Sequence, residues 1–303
     1  MNLKVESIYL IILVNYNNWE DTLECIESLR KSGIEDSNIL IIENCSTNDS
    51  FEKLKVAEPN IKIISTKKNL GFTGGNNLGI KYAIKNKFMY AILLNNDTIV
   101  DSNNPVKLLI DEMEKNEDVT LGTGRIFYFP EKDRIWYDGG KLIKWRGMAI
   151  HNNFRKNKNE INLNDNKKYV DFISGCFMCI RLNDITKIGL LNDNFFMYLD
   201  DIEYSARAVR RNLKLLFIPQ VVIFHKSIGE KERTPRLVYY SLRNRKMLIN
   251  LHFGIVAKIY FEIVIIIKRI LWFFTNKKNY HLLLYAVRDY KKQYYGQAPE
   301  YIK

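Results

Sequence analysis

The segment Phe195–Arg207, FFMYLDDIEYSAR, carries the strongest chemical signal in the chain. Asp200, Asp201 and Glu203 fall within four positions, directly after Phe195, Phe196, Met197 and Tyr198. A surface helix spreads its acids among lysines. Here an aromatic run leads straight into them, which sets at least one carboxylate at the edge of an apolar wall. Burial there raises a carboxyl pKa and suits the group to general-base work. The same acids would also complement the dipole at a helix N-terminus, so the segment alone leaves both readings open.

Asp97 offers a second kind of chemistry. It stands in AILLNNDTIVD (Ala91–Asp101), just past a buried strand. A carboxylate there can hold Mg²⁺ or Mn²⁺ against a diphosphate, since hard cations prefer oxygen ligands. It can equally cap a turn. His225 closes the apolar run VVIFHK and gains meaning only if it converges with Asp97; His151, His252 and His281 have no comparable context. The glycine-rich NLGFTGGNN (Asn69–Asn77) lacks the spacing of a P-loop or a dinucleotide fingerprint. Its glycines would let backbone approach a ligand, and as a bare pattern it predicts a tight turn before a helix.

The elements that position these residues alternate. Ile8–Val14 is an apolar run expected of a strand buried on both faces. A helix follows from about Trp19, with Leu23, Ile26 and Leu29 on one face. Further strands are expected at Asn38–Ile42, Ile61–Ser65 and Tyr90–Leu94, with a helix from about Asn77 before the last. Such alternation predicts an α/β fold with a parallel sheet, which binds ligands at the carboxyl ends of its strands. Polar clusters stand at three of those ends: Asn15, Tyr16 and Asn17; Glu43, Asn44, Ser46 and Asp49; Asn95, Asn96 and Asp97. Together they point to a polar ligand, a nucleotide. From Val119 to Lys168 the pattern predicts strands and a mobile loop, and two strands are expected around Pro219.

A chain of 303 residues, 47% apolar, can hold one large domain or two smaller ones. The four cysteines do not form a disulfide framework, and the CxxC of Cys176 and Cys179 has no second pair to complete a zinc site. Reduced thiols in a reducing compartment are expected. The N-terminal apolar stretch is too short, and lacks the flanks, for a signal peptide. The formal charge of +12 is unevenly placed: residues 231–303 hold 15 Lys+Arg and 4 Asp+Glu (+11), leaving 31 and 30 (+1) for residues 1–230. That asymmetry predicts a polyanionic partner for the tail, and near-neutrality of the rest argues against nucleic acid there. Leu251–Thr275 is the most hydrophobic stretch, with Lys258, Glu262 and Arg269 on a narrow stripe. A narrow polar stripe on a broad apolar helix predicts one lying at an anionic membrane surface; the alternatives are a helix packed on the catalytic domain or on another subunit, and a transmembrane span, against which the interrupting charges count.

The ordered pieces resemble a family 2 glycosyltransferase of the GT-A fold, in the rhamnosyltransferase-like bacterial branch. VNYN (Val14–Asn17), IENCSTNDS (Ile42–Ser50), NLGFTGGNNLG (Asn69–Gly79) and LLNNDT (Leu93–Thr98) are similar to its nucleotide loops, glycine loop and a variant of its DxD metal motif. IWYDGG (Ile135–Gly140), ISGCF (Ile173–Phe177), the acidic segment, IPQVVIFHK (Ile218–Lys226) and YYSLRNR (Tyr239–Arg245) continue the match over roughly residues 8–246. The resemblance implies a GT-A domain at residues 1–230, with nucleotide and acceptor halves meeting near residue 100, and a basic helical tail at 231–303. It implies an inverting transfer from a nucleoside-diphosphate sugar, dTDP-rhamnose or a UDP-sugar, to a saccharide or polyprenyl-linked acceptor in surface polysaccharide synthesis. The enzyme would be peripheral, on the cytoplasmic face of the membrane, and a homo-oligomer is compatible with this. By position, Asp97 and His225 would hold Mg²⁺ or Mn²⁺, and Asp201, with Asp200 as alternative, would be the base. Val14, Asn15, Tyr16, Asn17, Glu43, Asn44, Asp49, Gly74, Asn76, Asn95, Asn96 and Arg243 would bind the donor, and Gly175, Cys176 and Glu203 the acceptor. Departures are Asn95 at the first acid of DxD, Glu43 for Asp, Cys45 for Asn, and Asp200 for Glu. Two rival classes are a sugar-phosphate nucleotidyltransferase, for which VNYNNWED lacks a basic glycine-rich loop, and a non-enzymatic membrane- or nucleic-acid-binding protein, which would leave the polar strand ends unexplained.

Overall fold

The computed structural model describes residues 8–100, 104–163, 166–226 and 234–302. Its first half is the expected parallel array. β1 (Tyr9–Asn15), β2 (Ile39–Glu43), β3 (Lys62–Ser65) and β4 (Tyr90–Leu94) pair in the order β3-β2-β1-β4, all parallel. β2 and β4 are buried at every position, which explains their unbroken apolar sequence. Helices α1 (Trp19–Lys31), α2 (Ser50–Ala57) and α3 (Gly71–Lys85) make the crossovers.

α3 starts at Gly71, well before Asn77, so the glycine-rich stretch is helix and not turn. The reason is packing against β1. A Cβ at Gly79 would stand 2.5 Å from Ile12 Cγ2, and one at Gly75 would stand 2.9 Å from Val14 Cγ1. The glycines let the helix lie close to the strand that ends at the candidate site.

Beyond β4 the sheet becomes mixed. β11 (Phe177–Arg181) runs antiparallel to β4 and to β6 (Val119–Tyr128), and β12 (Lys214–His225) runs parallel to β6. β12 is one strand, not two around Pro219. A bulge between Ile218 and Val222 absorbs the proline, which has no N–H to give a ladder. β5 (Thr98–Val100), β7 (Ile135–Tyr137) and β10 (Lys168–Tyr169) add antiparallel pairings to β12, β6 and β12. A separate hairpin joins β8 (Gly140–Ile143) to β9 (Met148–His151) through a single 3₁₀ turn, Lys144–Arg146. α4 (Pro105–Lys115), α5 (Ile185–Ile188) and α6 (Asp200–Arg210) complete this unit. Mostly parallel strands and flanking helices make this a GT-A architecture.

The tail forms α7 (Pro235–His252), α8 (Ile255–Thr275) and α9 (Lys277–Lys291). The expected boundary at residues 230–231 lies outside the described residues. α7 opens with Thr234 as N-cap, its hydroxyl accepting from the Leu237 N–H, and with Pro235 in the first turn. The helix expected from Leu251 starts instead at Ile255, after an extended break at Phe253–Gly254. The tail helices share one apolar cluster with Phe196, including Tyr239, Tyr240, Phe261 and Leu283. Tail and catalytic sheet thus meet at the turn that precedes the acidic segment.

Candidate active site

Strand pairing brings Asp97 to His225. The β5–β12 register sets His225 opposite Thr98, so Asp97, one residue earlier, reaches the histidine across the ladder. Asp97 Oδ1 lies 3.1 Å from His225 Nε2, and the Lys226 N–H donates to the Asp97 carbonyl at 2.9 Å. Burial is the largest influence on Asp97 and would raise its carboxyl. The hydrogen bond and charge of His225 outweigh it and hold the group below its ordinary value.

Among the described residues no third His, Cys, Asp or Glu joins this pair. One carboxylate and one imidazole leave the remaining positions of a divalent cation to substrate phosphate oxygens and water, as hard cations at nucleotide sites accept. The pair therefore fits such a cation. His225 Nδ1 is buried without a hydrogen-bond partner among the described residues. The ring is held instead by Trp136, edge-on at 4.8 Å.

The acidic segment lies on the first turn of α6, where the three acids live in different surroundings. Glu203 is buried but ion-paired to Arg207 and within 2.8 Å of His252 Nε2. Burial pushes its carboxyl up, and these two partners bring it below the ordinary value. Asp200 is 5% exposed, and burial, then the charges of Asp201 and Glu203, drive its pKa well above the ordinary range. Asp201 is half-buried and accepts N–H bonds from Gly175 (3.1 Å) and Ile202 (2.8 Å). Burial raises it too, but the Gly175 amide and the charge of His151 moderate the rise.

His151 is the functional neighbour that sequence reasoning passed over. Its Nδ1 lies 2.8 Å from the Trp136 carbonyl. A carbonyl only accepts, so Nδ1 carries the proton. The ring packs among Trp136, Tyr137 and Phe172. Burial lowers its pKa, and the Asp201 charge works against that. No motif in the sequence ties residue 151 to residue 201; only the fold does.

The turn before α6 is strained. Phe196, Tyr198 and Leu199 all have positive φ, at 61°, 66° and 62°. Such conformations cost on the order of 1–3 kcal/mol each for residues of this kind. The compensation comes from α7. Asn244 Nδ2 lies 2.9 Å from the carbonyls of Phe195, Met197 and Tyr198, two N–H groups serving three acceptors. The Arg243 guanidinium, fully buried, donates to Gly296 and, more distantly, to Asn194 and Phe195. It packs over Tyr239 and Tyr240. On the other side, the Thr73 N–H at the start of α3 donates to the Phe196 carbonyl at 3.2 Å, and Gly71 makes room for it, since a Cβ there would stand 2.4 Å from that oxygen.

A cavity of about 430 Å³ opens at the strand ends. Val14, Tyr16, Asn44, Asn76, Asn95, Asn96 and Asp97, all expected donor-site or metal-site residues, line it. Phe196, Met197 and Tyr198 form one side, and Thr234, Arg236, Tyr240 and Gln297 close it from the tail. Asn15 stands behind the wall, fully buried, its Oδ1 accepting from the Thr22 hydroxyl. Glu43 is likewise turned inward, accepting from the Ser46 amide and hydroxyl. Asn17 is tied to Thr47 at the surface, and Asp49 sits on the exposed start of α2 beside Lys53.

Several expectations are corrected. Arg243 does not face the cavity, because backbone carbonyls and two tyrosine rings occupy its guanidinium. Among the described residues, Arg236 is the tail cation that lines it. Glu203 is ion-paired to Arg207 and bonded to His252. Gly74 packs against Leu70, where an added Cβ would stand 2.7 Å from Leu70 Cβ. Gly175 and Cys176 act through backbone: the Gly175 N–H holds Asp201, and the Cys176 carbonyl accepts from the Asn95 N–H at 2.9 Å. The Cys176 thiol is buried and its pKa is raised, first by burial. Arg236 and Thr234 were legible only as a helix start, Thr-Pro-Arg, which marks a cap and carries no sign of a ligand.

Two outcomes follow from this geometry. Asn244→Asp turns the donor into an acceptor against three carbonyls, so unfolding free energy in urea should drop by roughly 3 kcal/mol; a change within about 0.5 kcal/mol would show that the clamp is dispensable. Asp200 has a folded pKa raised above its unfolded value of about 3.9. Its contribution to stability is therefore complete below that value and is lost as pH rises through the folded pKa. Asp200→Asn should melt at a higher temperature than the wild type near neutrality, with the two curves converging toward pH 4. Parallel melting curves across pH 4–8 would contradict the assignment of Asp200 as a buried, proton-holding acid.

Comparison with known proteins places the molecule. The model of "Glycosyl transferase family 2" matches residues 10–184, more than half of the chain. The chain is 25% identical over 256 residues to the low-salt glycan biosynthesis hexosyltransferase Agl10 of Haloferax volcanii, covering 79% of this chain and 75% of that protein. It is 24% identical over 248 residues to glycosyltransferase GlyG of Streptococcus pneumoniae serotype 4, covering 73% and 79%. Among solved structures, GalNAc-T7 with UDP, GalNAc and Mn²⁺ superposes with a TM-score of 0.60 at 14% identity, over 84% of this chain; the chain spans 50% of the length of that one. Mannosyltransferase PcManGT from Pyrobaculum calidifontis, with GDP-Man and Mn²⁺, gives 0.56 at 8% identity, over 94% of this chain and 73% of that one. These two likenesses are of fold. With the family match, the nucleotidyltransferase and non-enzymatic alternatives fall away. The chain belongs to glycosyl transferase family 2 and is a glycosyltransferase that draws on nucleotide sugars.

Proposed function

We propose that the chain moves a sugar, with inversion, from a nucleoside diphosphate to a saccharide hydroxyl, using Asp201 as the base. The observation that carries this is the link between the two ends of the site. Gly175 donates to Asp201, and the next residue, Cys176, accepts from Asn95 in the turn that bears Asp97. A base and a diphosphate-facing carboxylate thus hang on adjacent residues of one loop.

In this reading the nucleoside diphosphate lies in the cavity over Tyr16, Asn44 and Asn95. Arg236 meets its phosphates as leaving-group charge develops. A divalent cation between Asp97 and His225 would supply further positive charge there; the Mn²⁺ in both solved relatives supports that class of ion. Asp201 accepts the proton of the acceptor hydroxyl while its oxygen bonds to the anomeric carbon and the bond to diphosphate breaks. General-base help of this kind contributes about 10²–10⁴-fold. Asp200, pushed well above the ordinary range by burial and by the charges of its neighbours, is the poorer base of the pair. The donor reading follows the rhamnosyltransferase resemblance, with dTDP-rhamnose first and a UDP-sugar second. The acceptor is a lipid-linked saccharide of surface polysaccharide synthesis, reached from the cytoplasmic face of a membrane.

Asp201→Asn should abolish transfer while donor binding, measured by calorimetry, persists, because the base acts on the acceptor. Turnover within about tenfold of the wild type would remove Asp201 from this role. Asp97→Ala should remove divalent-ion dependence together with activity, and His225→Ala should weaken ion binding less. Full activity in excess chelator would exclude the cation.

A further inference from the structure

α8 is apolar on two faces, and only one of them has a partner. Ala257, Phe261 and Ile265 turn inward and are buried against α7 and α9. On the other side Ile255, Ile259, Ile263, Ile266, Ile270 and Phe274 are each at least half exposed, Phe274 at 79%. At 100° per residue these six fall in an arc of about 100°, and the row they form is roughly 30 Å long. A monomer seldom leaves so long an apolar strip in water.

The borders of the strip state what covers it. On one edge lie Lys258 and Arg269, with Glu262 neutralised by its ion pair to Lys246. On the other edge stands a piece of the catalytic half, the 3₁₀ turn Lys144–Arg146. Its Trp145 is 55% exposed and packs edge-on against Tyr260 of α8 at 5.1 Å. The turn is fixed there, because Arg245 donates to the Arg146 carbonyl at 2.8 Å, and a Cβ on Gly147 would stand 2.3 Å from Ile249 Cγ1. Basic residues therefore flank the apolar strip on both sides, with an indole and a phenol at one border. Cations and amphipathic rings at the margin of an apolar face are the composition of a helix lying in a bilayer interface. Among the described residues no helix is long and apolar enough to cross a membrane.

We propose that the exposed face of α8, together with the Lys144–Arg146 turn, is a composite docking surface for an anionic lipid bilayer. The helix inserts its isoleucines among the acyl chains; Trp145 and Tyr260 sit at headgroup level; the flanking lysines and arginines meet lipid phosphates. Because the turn belongs to the β8–β9 hairpin, the bilayer contact fixes the orientation of the sheet and not only of the tail. The assignment deepens the proposed membrane-linked acceptor by naming the surface that meets the membrane, and it stands apart from the choice of base or donor.

The test uses the full chain with sedimentation onto vesicles of phosphatidylcholine alone and of phosphatidylcholine with phosphatidylglycerol. The wild type should bind the anionic vesicles at least tenfold more tightly, with binding weakened but retained at high salt. Ile259→Glu with Ile266→Glu, both at exposed positions, should reduce binding at least tenfold while donor hydrolysis and melting temperature stay unchanged. Trp145→Ala should reduce it about threefold or more; an unchanged value would remove the turn from the surface. Failure of the wild type to bind either vesicle would overturn the proposal. So would a wild-type dimer in sedimentation velocity that the double variant makes monomeric, since the strip would then belong to a second copy of the chain. Retained transfer in Asp201→Asn with vesicle binding intact would remove the proposed base and leave this surface standing.

Discussion

Everything at the acidic end of the site hangs on a side-chain amide. Asn244 faces three carbonyls of the Phe195–Tyr198 turn, and that turn holds three non-glycine residues at positive φ. Without those bonds the turn has cheaper conformations available, and α6 would start elsewhere. The position of Asp200 and Asp201 is thus a property of α7 as much as of α6. Arg243 reinforces the clamp from beside it, bridging to the Gly296 carbonyl near the C-terminus. The arginine–asparagine pair in YYSLRNR acts by shaping backbone, and its charge is spent on carbonyl dipoles inside the protein.

Three neighbouring acids then divide into three states through their partners alone. Glu203 has an arginine and a histidine and stays ionised. Asp200 is buried next to two other acids, and burial and their charges push its carboxyl well above the ordinary range. Asp201 sits between these limits, buried enough to be raised and supported by two amides and by His151. A base must be ionised in the resting enzyme and still bind a proton well during the reaction. Asp201, the proposed base, has the intermediate environment, and it is built from residues on β9, the Gly175 loop and α6.

The sequence shows the strands well because burial on both faces writes itself as unbroken apolar runs; Tyr90–Leu94 is found at its observed limits. Asp97 and His225 were legible as strand-end residues, and the ladder between β5 and β12 makes them neighbours. What the sequence hid has a common cause. Glycine serves both tight turns and close packing, and NLGFTGGNN looks the same in either use; the side chains of Ile12 and Val14 decide it. A buried arginine and a cavity-lining arginine are one letter, so no local pattern tells Arg243 from Arg236. His151 reaches Asp201 through a hairpin and an aromatic box, contacts that no local pattern encodes.

The tail binds these threads together. Residues of α7 hold the strained turn, Arg236 and Tyr240 line the cavity, and Gln297 reaches it from beyond α9. The same helical layer presents the apolar strip of α8 to the outside. Phe261 of α8 shares an apolar cluster with Tyr240 and with Phe196, whose ring stacks on Tyr240 at 5.8 Å. Phe196 in turn gives its carbonyl to the first turn of α3. Packed side chains therefore join the inner face of α8 to the wall of the cavity, by way of a turn whose backbone is itself strained.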